Sequence, residues 1–325
     1  REPRGETRQF FGAPRDLGAR RTRIEAHARA FAACLARREH EIVGLLIRGR
    51  SNAELCAGLG ITRATLRTHL WSAVRGAVIT SATLTSCGQF DFFLREAGLH
   101  ADPDVTTLAV DSPFDYARQG RFIAAETAAD PKDAAAFNAE VAATLVRDLP
   151  AVEHGALVLF TSREQLRVAV DALPASLRER VLVQTELPRT VLLTRHRERV
   201  AAGVPSVIFG MQSFGEGLDL PGGLCESVFI AKLPFSPPDD PVGEARAEWL
   251  RGAGRDPFME LVVPATAIRL AQWAGRAIRT ETDRAFVTCY DRRLSRTGYG
   301  RRLLQGLPPF TRVRRDAQGQ EQALE

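Results

Sequence analysis

Lysine is almost missing from this chain. Of its 44 basic residues, all but Lys132 and Lys232 are Arg. A phosphate-binding P-loop sets one Lys inside a glycine-rich turn. Neither Asp130-Pro131-Lys132-Asp133 nor Ala231-Lys232-Leu233-Pro234 has that setting, so the sequence holds no Walker A site. Cysteine is also scarce. The five residues Cys34, Cys56, Cys87, Cys225 and Cys289 lie far apart and form no CxxC pair. That spacing excludes an iron–sulfur cluster and a zinc site of the usual kind, so no metal is expected, and it fits buried thiols in a reducing compartment. There is no bilayer-length apolar run and no signal-peptide pattern. The expectation is a cytoplasmic protein without a membrane partner, and the opening Arg1 reads as the start of a fragment or a processed chain.

What remains is ample for folding. With 325 residues, two or three units are expected, and 45% hydrophobic with 26% charged residues is a globular composition. The formal net charge of +5 is unevenly spread, because residues 1–76 carry fifteen Arg against seven acidic residues. The basic excess therefore belongs to the amino-terminal part, for which a polyanion is the natural partner.

Residues 1–35 read as a basic arm and a helix, and 36–70 as three short helices. Ser51 and Glu54 form a capping box, Gly58 and Gly60 bracket a turn, and Thr62 caps the last helix. From residue 71 to 315 short β-branched runs alternate with helical patterns, and 316–325 reads as a tail. The candidate strands are 77–81, 106–110, 156–160, 181–184, 206–209, 227–231 and 285–290. The helical patterns are 89–96, 133–147, 163–173, 243–251, 263–279 and 299–304. Such alternation predicts an α/β domain with a parallel sheet covered on both faces, and a binding crevice at the strands' carboxyl ends.

Arg38-Glu39-His40-Glu41-Ile42-Val43, Ser51-Asn52-Ala53-Glu54-Leu55, Leu59-Gly60-Ile61-Thr62 and Thr65-Leu66-Arg67-Thr68-His69-Leu70 together resemble the LuxR-type DNA-binding domain. The resemblance implies a helix-turn-helix whose third helix enters the major groove, with Arg63, Thr65, Arg67 and Thr68 meeting phosphates or base edges. The family's fourth, dimerising helix is replaced here by Trp71-Ser72-Ala73-Val74-Arg75, which runs toward a candidate strand.

The remainder carries several motifs in one order. Val78-Ile79-Thr80-Ser81-Ala82-Thr83-Leu84 is followed by Leu157-Val158-Leu159-Phe160-Thr161-Ser162-Arg163 and then by Phe209-Gly210-Met211-Gln212-Ser213-Phe214-Gly215-Glu216-Gly217-Leu218-Asp219. Ser227 to Asp240 and Gln272-Trp273-Ala274-Gly275-Arg276-Ala277-Ile278-Arg279 complete the series. Residues 71–312 thus resemble the second RecA-like motor domain of superfamily 2 helicases of the DinG and XPD kind. The resemblance implies a P-loop-NTPase-type parallel sheet, ATP with Mg²⁺ as cofactor, DNA as partner and unwinding driven by ATP hydrolysis. It assigns Gln272, Arg276 and Arg279 to catalysis, the two arginines stabilising charge on the γ-phosphate. Gly215, Glu216, Gly217, Asp219 and Gly275 fall at nucleotide-binding positions, with Glu216 and Asp219 coupling nucleotide to DNA. Thr161 and Ser162, at a helix start, would touch the DNA backbone. On helical spacing, Gln272, Arg276 and Arg279 are expected to form one stripe.

The family's Walker A and DEAH motifs belong to the first motor domain, and Ile24-Glu25-Ala26-His27 matches the latter only in part. The expected function is the C-terminal motor portion of an ATP-dependent DNA helicase, dependent for hydrolysis on a partner that supplies the P-loop. The other reading is a LuxR-like transcriptional regulator with a vestigial helicase domain.

Overall fold

Four of the apolar runs become the centre of one sheet. The computed structural model describes residues 57–59, 61, 62, 65, 78–81, 83–215, 218–236 and 241–324. The chain divides into two compact units, Arg1–Thr80 and Ser81–Glu325. In the first, Thr62 Oγ1 accepts a hydrogen bond from the backbone N–H of Thr65 at 3.1 Å, the geometry of a helix N-cap. Arg63, Arg67 and Thr68 lie outside the described residues, as do most of 36–70.

The second unit holds β1 (Gly120–Ala125), β2 (Gly155–Phe160), β3 (Val181–Val183), β4 (Ser206–Met211), β5 (Ser227–Ile230), β6 (Ala285–Tyr290), β7 (Thr311–Arg315) and β8 (Glu321–Ala323). Their order is β3-β4-β2-β5-β6-β1-β7-β8. All pairings are parallel except β7 with β8. Seven parallel strands therefore send their carboxyl ends to one edge.

Alternate residues of each strand fill two cores. On one face Phe122, Leu157, Ile208, Val228 and Val287 pack with Leu192 of α4 (Arg189–Ala201), with Val263, Leu270 and Trp273 of α6 (Val263–Ala274), and with Leu303 of α7 (Gly298–Gln305). On the other, Val158, Phe160, Val207 and Phe209 meet Phe137, Val141 and Leu145 of α2 (Ala134–Asp148) and Leu166 of α3 (Arg163–Asp171). The remaining longer elements are α1 (Asp91–Glu96) and α5 (Pro241–Gly252), both rich in charge. Only glycine fits at position 155, because an added Cβ would stand 2.2 Å from the Leu224 carbonyl oxygen. Among the described residues no helix is long and apolar enough to cross a membrane.

Three strands escape the sequence pattern, and two candidate strands do not form. β1 opens on Gly-Arg and lacks an apolar run of Val, Ile or Leu, yet it lies inside the sheet between β6 and β7. β7 has one buried residue, Val313, and the fully exposed β8 falls within the expected tail. Conversely, among the described residues 106–110 and 78–81 pair with no strand.

His196 of α4 ties the sheet to the segment before β5. Its Nε2–H donates to the Leu224 carbonyl at 2.8 Å, so Nδ1 is the acceptor for the Ser206 hydroxyl at 2.9 Å. The ring is fully buried, and burial lowers its pKa below 6.5, with Arg197 and Arg199 adding to the effect. The unfolded chain thus binds a proton near pH 6.5 that the folded chain refuses. Stability falls as pH drops through and below that value, by at most about 1.4 kcal/mol per pH unit from this group. Urea titrations between pH 7.5 and 5.5 should show this slope in the wild type and a flatter one in His196→Gln. Equal slopes would remove His196 as the cause.

Candidate nucleotide cleft and nucleic-acid groove

Helix α6 has Pro264 in its first turn and buries Val263, Ala267, Leu270, Trp273 and Ala274, which leaves Gln272 toward the opposite side. The helix ends at Ala274, short of the 263–279 expected, so Arg276 and Arg279 do not continue a helical stripe. The reason is competition for backbone donors. The Gly275 N–H closes on Ala271, and the buried Asp283 takes the N–H groups of Arg279 at 2.7 Å and Thr280 at 2.9 Å. Gln119, the residue before β1, donates to the carbonyls of Thr280 and Asp283. The backbone at Arg279 is therefore held by the sheet rather than by the helix.

The expected trio nevertheless converges. Gln272, Gly275, Arg276 and Arg279 line one open cleft of about 990 Å³ together with Thr83 and Asp111. Gln272 Nε2 donates to Thr83 Oγ1 at 3.3 Å, and Arg276 Nη1 donates to the Leu218 carbonyl at 2.8 Å. Arg279 is exposed, and its guanidinium makes no hydrogen bond among the described residues. The two arginines thus differ: Arg276 is tied to the 218–220 loop, and Arg279 is available to an anion. Cys225 lies near both, but complete burial pushes its thiol up to about 12, so it stays neutral.

The cleft is not at the carboxyl edge of the sheet, where the crevice was expected. Ile278 packs by Gly120, the first residue of β1, so the cleft stands beside the amino ends of β1 and β6. Asp219 is exposed next to Leu218, Gly215 closes the helical turn Gln212–Gly215, and Glu216 and Gly217 lie outside the described residues. Thr161 and Ser162 sit elsewhere, after β2 at the carboxyl edge. Ser162 caps α3 by accepting from the Gln165 N–H at 3.1 Å, and Thr161 meets the Gln165 side chain.

That carboxyl edge carries a groove of about 1310 Å³, to which the Ser227 to Asp240 motif contributes Lys232, Phe235 and Ser236. Eight basic residues line it, Lys132, Lys232, Arg246, Arg251, Arg269, Arg292, Arg293 and Arg296, against two acidic ones, Asp130 and Glu244. The excess makes the groove attractive to a polyanion. Asp291 anchors one of its lining residues: the buried carboxylate is 1% exposed, accepts from the Leu233 N–H at 3.1 Å and from the Arg293 guanidinium. Arg293 then lies 4.9 Å over the Phe235 ring. Phe235, Phe258 and Tyr299 are in mutual ring contact with centroids 5.1 to 6.3 Å apart. Arg296 ion-pairs with Glu126, and its hydrogen bond is the main reason the Glu126 carboxyl titrates below the usual range. Lys232 Nζ donates to the Pro131 carbonyl at 2.8 Å and lies over the Phe137 ring. Burial lowers its pKa. The contributing segments are far apart in sequence. The signal available was that both lysines of the chain, otherwise replaced by Arg, lie here.

A largely parallel sheet covered by helices, with an arginine cleft on one side and a basic, aromatic groove along its carboxyl edge, is an α/β domain of the RecA-like kind. Residues 145–310 match the helicase C-terminal domain, and the chain belongs to that family. It is 40% identical over 247 residues to the ATP-dependent DNA helicase DinG of Photobacterium profundum, covering 75% of this chain and 35% of the relative. With DinG of Escherichia coli it shares 37% identity over 258 residues, 78% of this chain and 36% of the relative. The chain thus spans about a third of the length of these relatives. Among solved structures, S. tokodaii Xpd4 aligns at a TM-score of 0.48 and 18% identity, over 70% of this chain and 43% of that one.

Proposed function

We propose that this chain is the C-terminal motor portion of an ATP-dependent DNA helicase. The observation that carries the reading is the cleft that gathers Gln272, Gly275, Arg276 and Arg279. The guanidinium of Arg279, without a hydrogen bond among the described residues, stands beside a glutamine and a backbone turn, an arrangement that fits a polyphosphate chain. The Lys that holds the β-phosphate and the Mg²⁺ site belong to a P-loop half outside these residues, in the same polypeptide or in a second chain. Bound ATP would supply the energy of phosphoryl transfer; the residues here bind, orient and neutralise its outer phosphates.

DNA would run along the carboxyl edge. Thr161 and Ser162 follow β2, Lys232 follows β5, and Arg292 and Arg293 follow β6, so one strand of phosphates can pass over neighbouring strand ends. The aromatic trio offers π-faces of the kind on which unpaired bases stack. A duplex-reading helix-turn-helix of the LuxR type, using Arg63, Thr65, Arg67 and Thr68, would make the amino-terminal unit a second contact with DNA. The cap at Thr62 supports that part. Its site of action would be the cytoplasm.

The test combines binding and turnover. The chain should bind a single-stranded oligonucleotide more tightly than the same duplex, with affinity falling steeply with salt. Alone it should hydrolyse ATP barely above background, and a P-loop half from a DinG relative should restore DNA-stimulated hydrolysis. Turnover by the chain alone at a helicase-like rate would sink the divided-motor reading. Selective binding to one duplex sequence, with no restoration of hydrolysis, would favour a regulator.

A further inference from the structure

Residues 106–110, Thr-Thr-Leu-Ala-Val, have the composition of a strand but no partner strand among the described residues. They adopt neither helix nor turn, and among the described residues none of their backbone N–H or C=O groups makes a hydrogen bond. Five residues of extended chain span about 16 Å, enough for an ordinary strand. Thr106, Leu108 and Val110 are spaced by two, as residues on one side of a strand are. Leu108 is 82% and Val110 83% exposed, the largest such exposures in the second unit.

Exposed edges in soluble proteins are normally blunted by Lys, Pro or an inward-pointing charge. This stretch has none; its nearest charges are Asp104 and Asp111, just outside it. Such an edge is a template for another strand, and main-chain pairing with alternating side-chain pockets is a common recognition mode. Its position narrows the occupant. Val110 and Asp111 form part of the wall of the cleft that holds Gln272, Arg276 and Arg279. A domain seated over that cleft to complete the nucleotide site comes within reach of Val110. About two-thirds of each DinG relative is not aligned with this chain, length enough for such a domain.

We infer that residues 106–110 are a docking strand that adds to the edge of a β-sheet in the P-loop half of the motor. The inference rests on the reading of this chain as one half of a motor. The strand joins the halves through main-chain hydrogen bonds and buries Leu108 and Val110 as it does so. Registering the P-loop domain at this edge also fixes its distance from Arg279.

The test uses this chain and the separately produced P-loop portion of the Photobacterium profundum relative, with hydrogen exchange read by mass spectrometry. In the chain alone the amides of 106–110 exchange at close to the unprotected rate. In the mixture they slow by about a hundredfold or more, which is the protection a hydrogen-bonded strand gives. Ala109→Pro removes a donor, and Leu108→Lys with Val110→Lys charges the buried face. Each weakens association at least about tenfold, a change of about 1.4 kcal/mol, and leaves the thermal midpoint of the isolated chain unchanged. If the two halves associate while 106–110 stays unprotected, the docking strand is wrong and the motor reading stands. Failure of the unmodified halves to associate overturns both. Protection that appears without the P-loop portion and grows with concentration assigns the strand to a second copy of this chain and also overturns the proposal.

Discussion

With a P-loop half supplied, Arg279→Ala lowers kcat for ATP hydrolysis by about 10³-fold, the lower end of what an arginine finger contributes. The expectation follows from the unequal state of the two arginines. Arg279 is exposed and its guanidinium has no hydrogen bond among the described residues, while its backbone is fixed by Asp283. It has a set origin and an uncommitted head. Arg276 already donates to the Leu218 carbonyl, so Arg276→Ala acts through the 218–220 loop and costs less in kcat. Arg279→Lys recovers little, because a single ammonium does not reproduce a planar two-pronged donor. Steady-state phosphate release at saturating ATP and single-stranded DNA measures all three. An Arg279→Ala enzyme within threefold of wild type would remove this arginine from the phosphate.

Asp291→Ala should destabilise the second unit by about 3–5 kcal/mol, because it strands a partly buried guanidinium without its counter-charge. Arg293 has a side chain 22% exposed, and its ion pair with Asp291 is at 2.6 Å. Removing the carboxylate also frees the Leu233 N–H just after β5. The loss is therefore structural first, but its second effect is functional: Arg293 no longer holds its place over Phe235, and the groove loses its aromatic floor. Urea denaturation gives the stability change, and oligonucleotide binding below the transition gives the groove effect. A change under 1 kcal/mol would mean that Arg293 finds another partner or water. Asp291→Asn keeps an acceptor and should fall between the two.

The central strands were legible because their chemistry is extreme. β2 is buried at all six positions and β4 at five, and a strand covered on both faces must be apolar throughout. β7 was not legible for the opposite reason: at Thr-Arg-Val-Arg-Arg, near the edge of the sheet, only Val313 is buried. The end of α6 was misread because Ala277 and Ile278 prolong the apolar pattern past the true stop. Both are buried in the core, Ile278 beside Gly120 of β1, and not as part of a helix. Periodicity records which residues are covered, not which carbonyl takes each N–H. Gln272, Arg276 and Arg279 were placed together by their resemblance to a helicase motif, and the structure brings them into one cleft by a different backbone route. The basic groove as a whole was not legible, although the Ser227 to Asp240 motif holds part of its wall, because segments around residues 132, 235, 246, 258 and 293 meet only after the strands have stacked in their crossed order.

The distribution of lysine has a practical corollary. These 325 residues hold two lysine amines, Lys132 and Lys232, and both border the same groove. Acylating reagents and amine-directed cross-linkers, which usually decorate a protein everywhere, are confined here to one surface. Lys132, at an exposed turn, should label quickly. Lys232 should label slowly, being sheltered by Phe137 and engaged with the Pro131 carbonyl. The chain therefore carries a two-point footprinting probe of its own, and the rate at which each amine is modified reports whether the groove is filled.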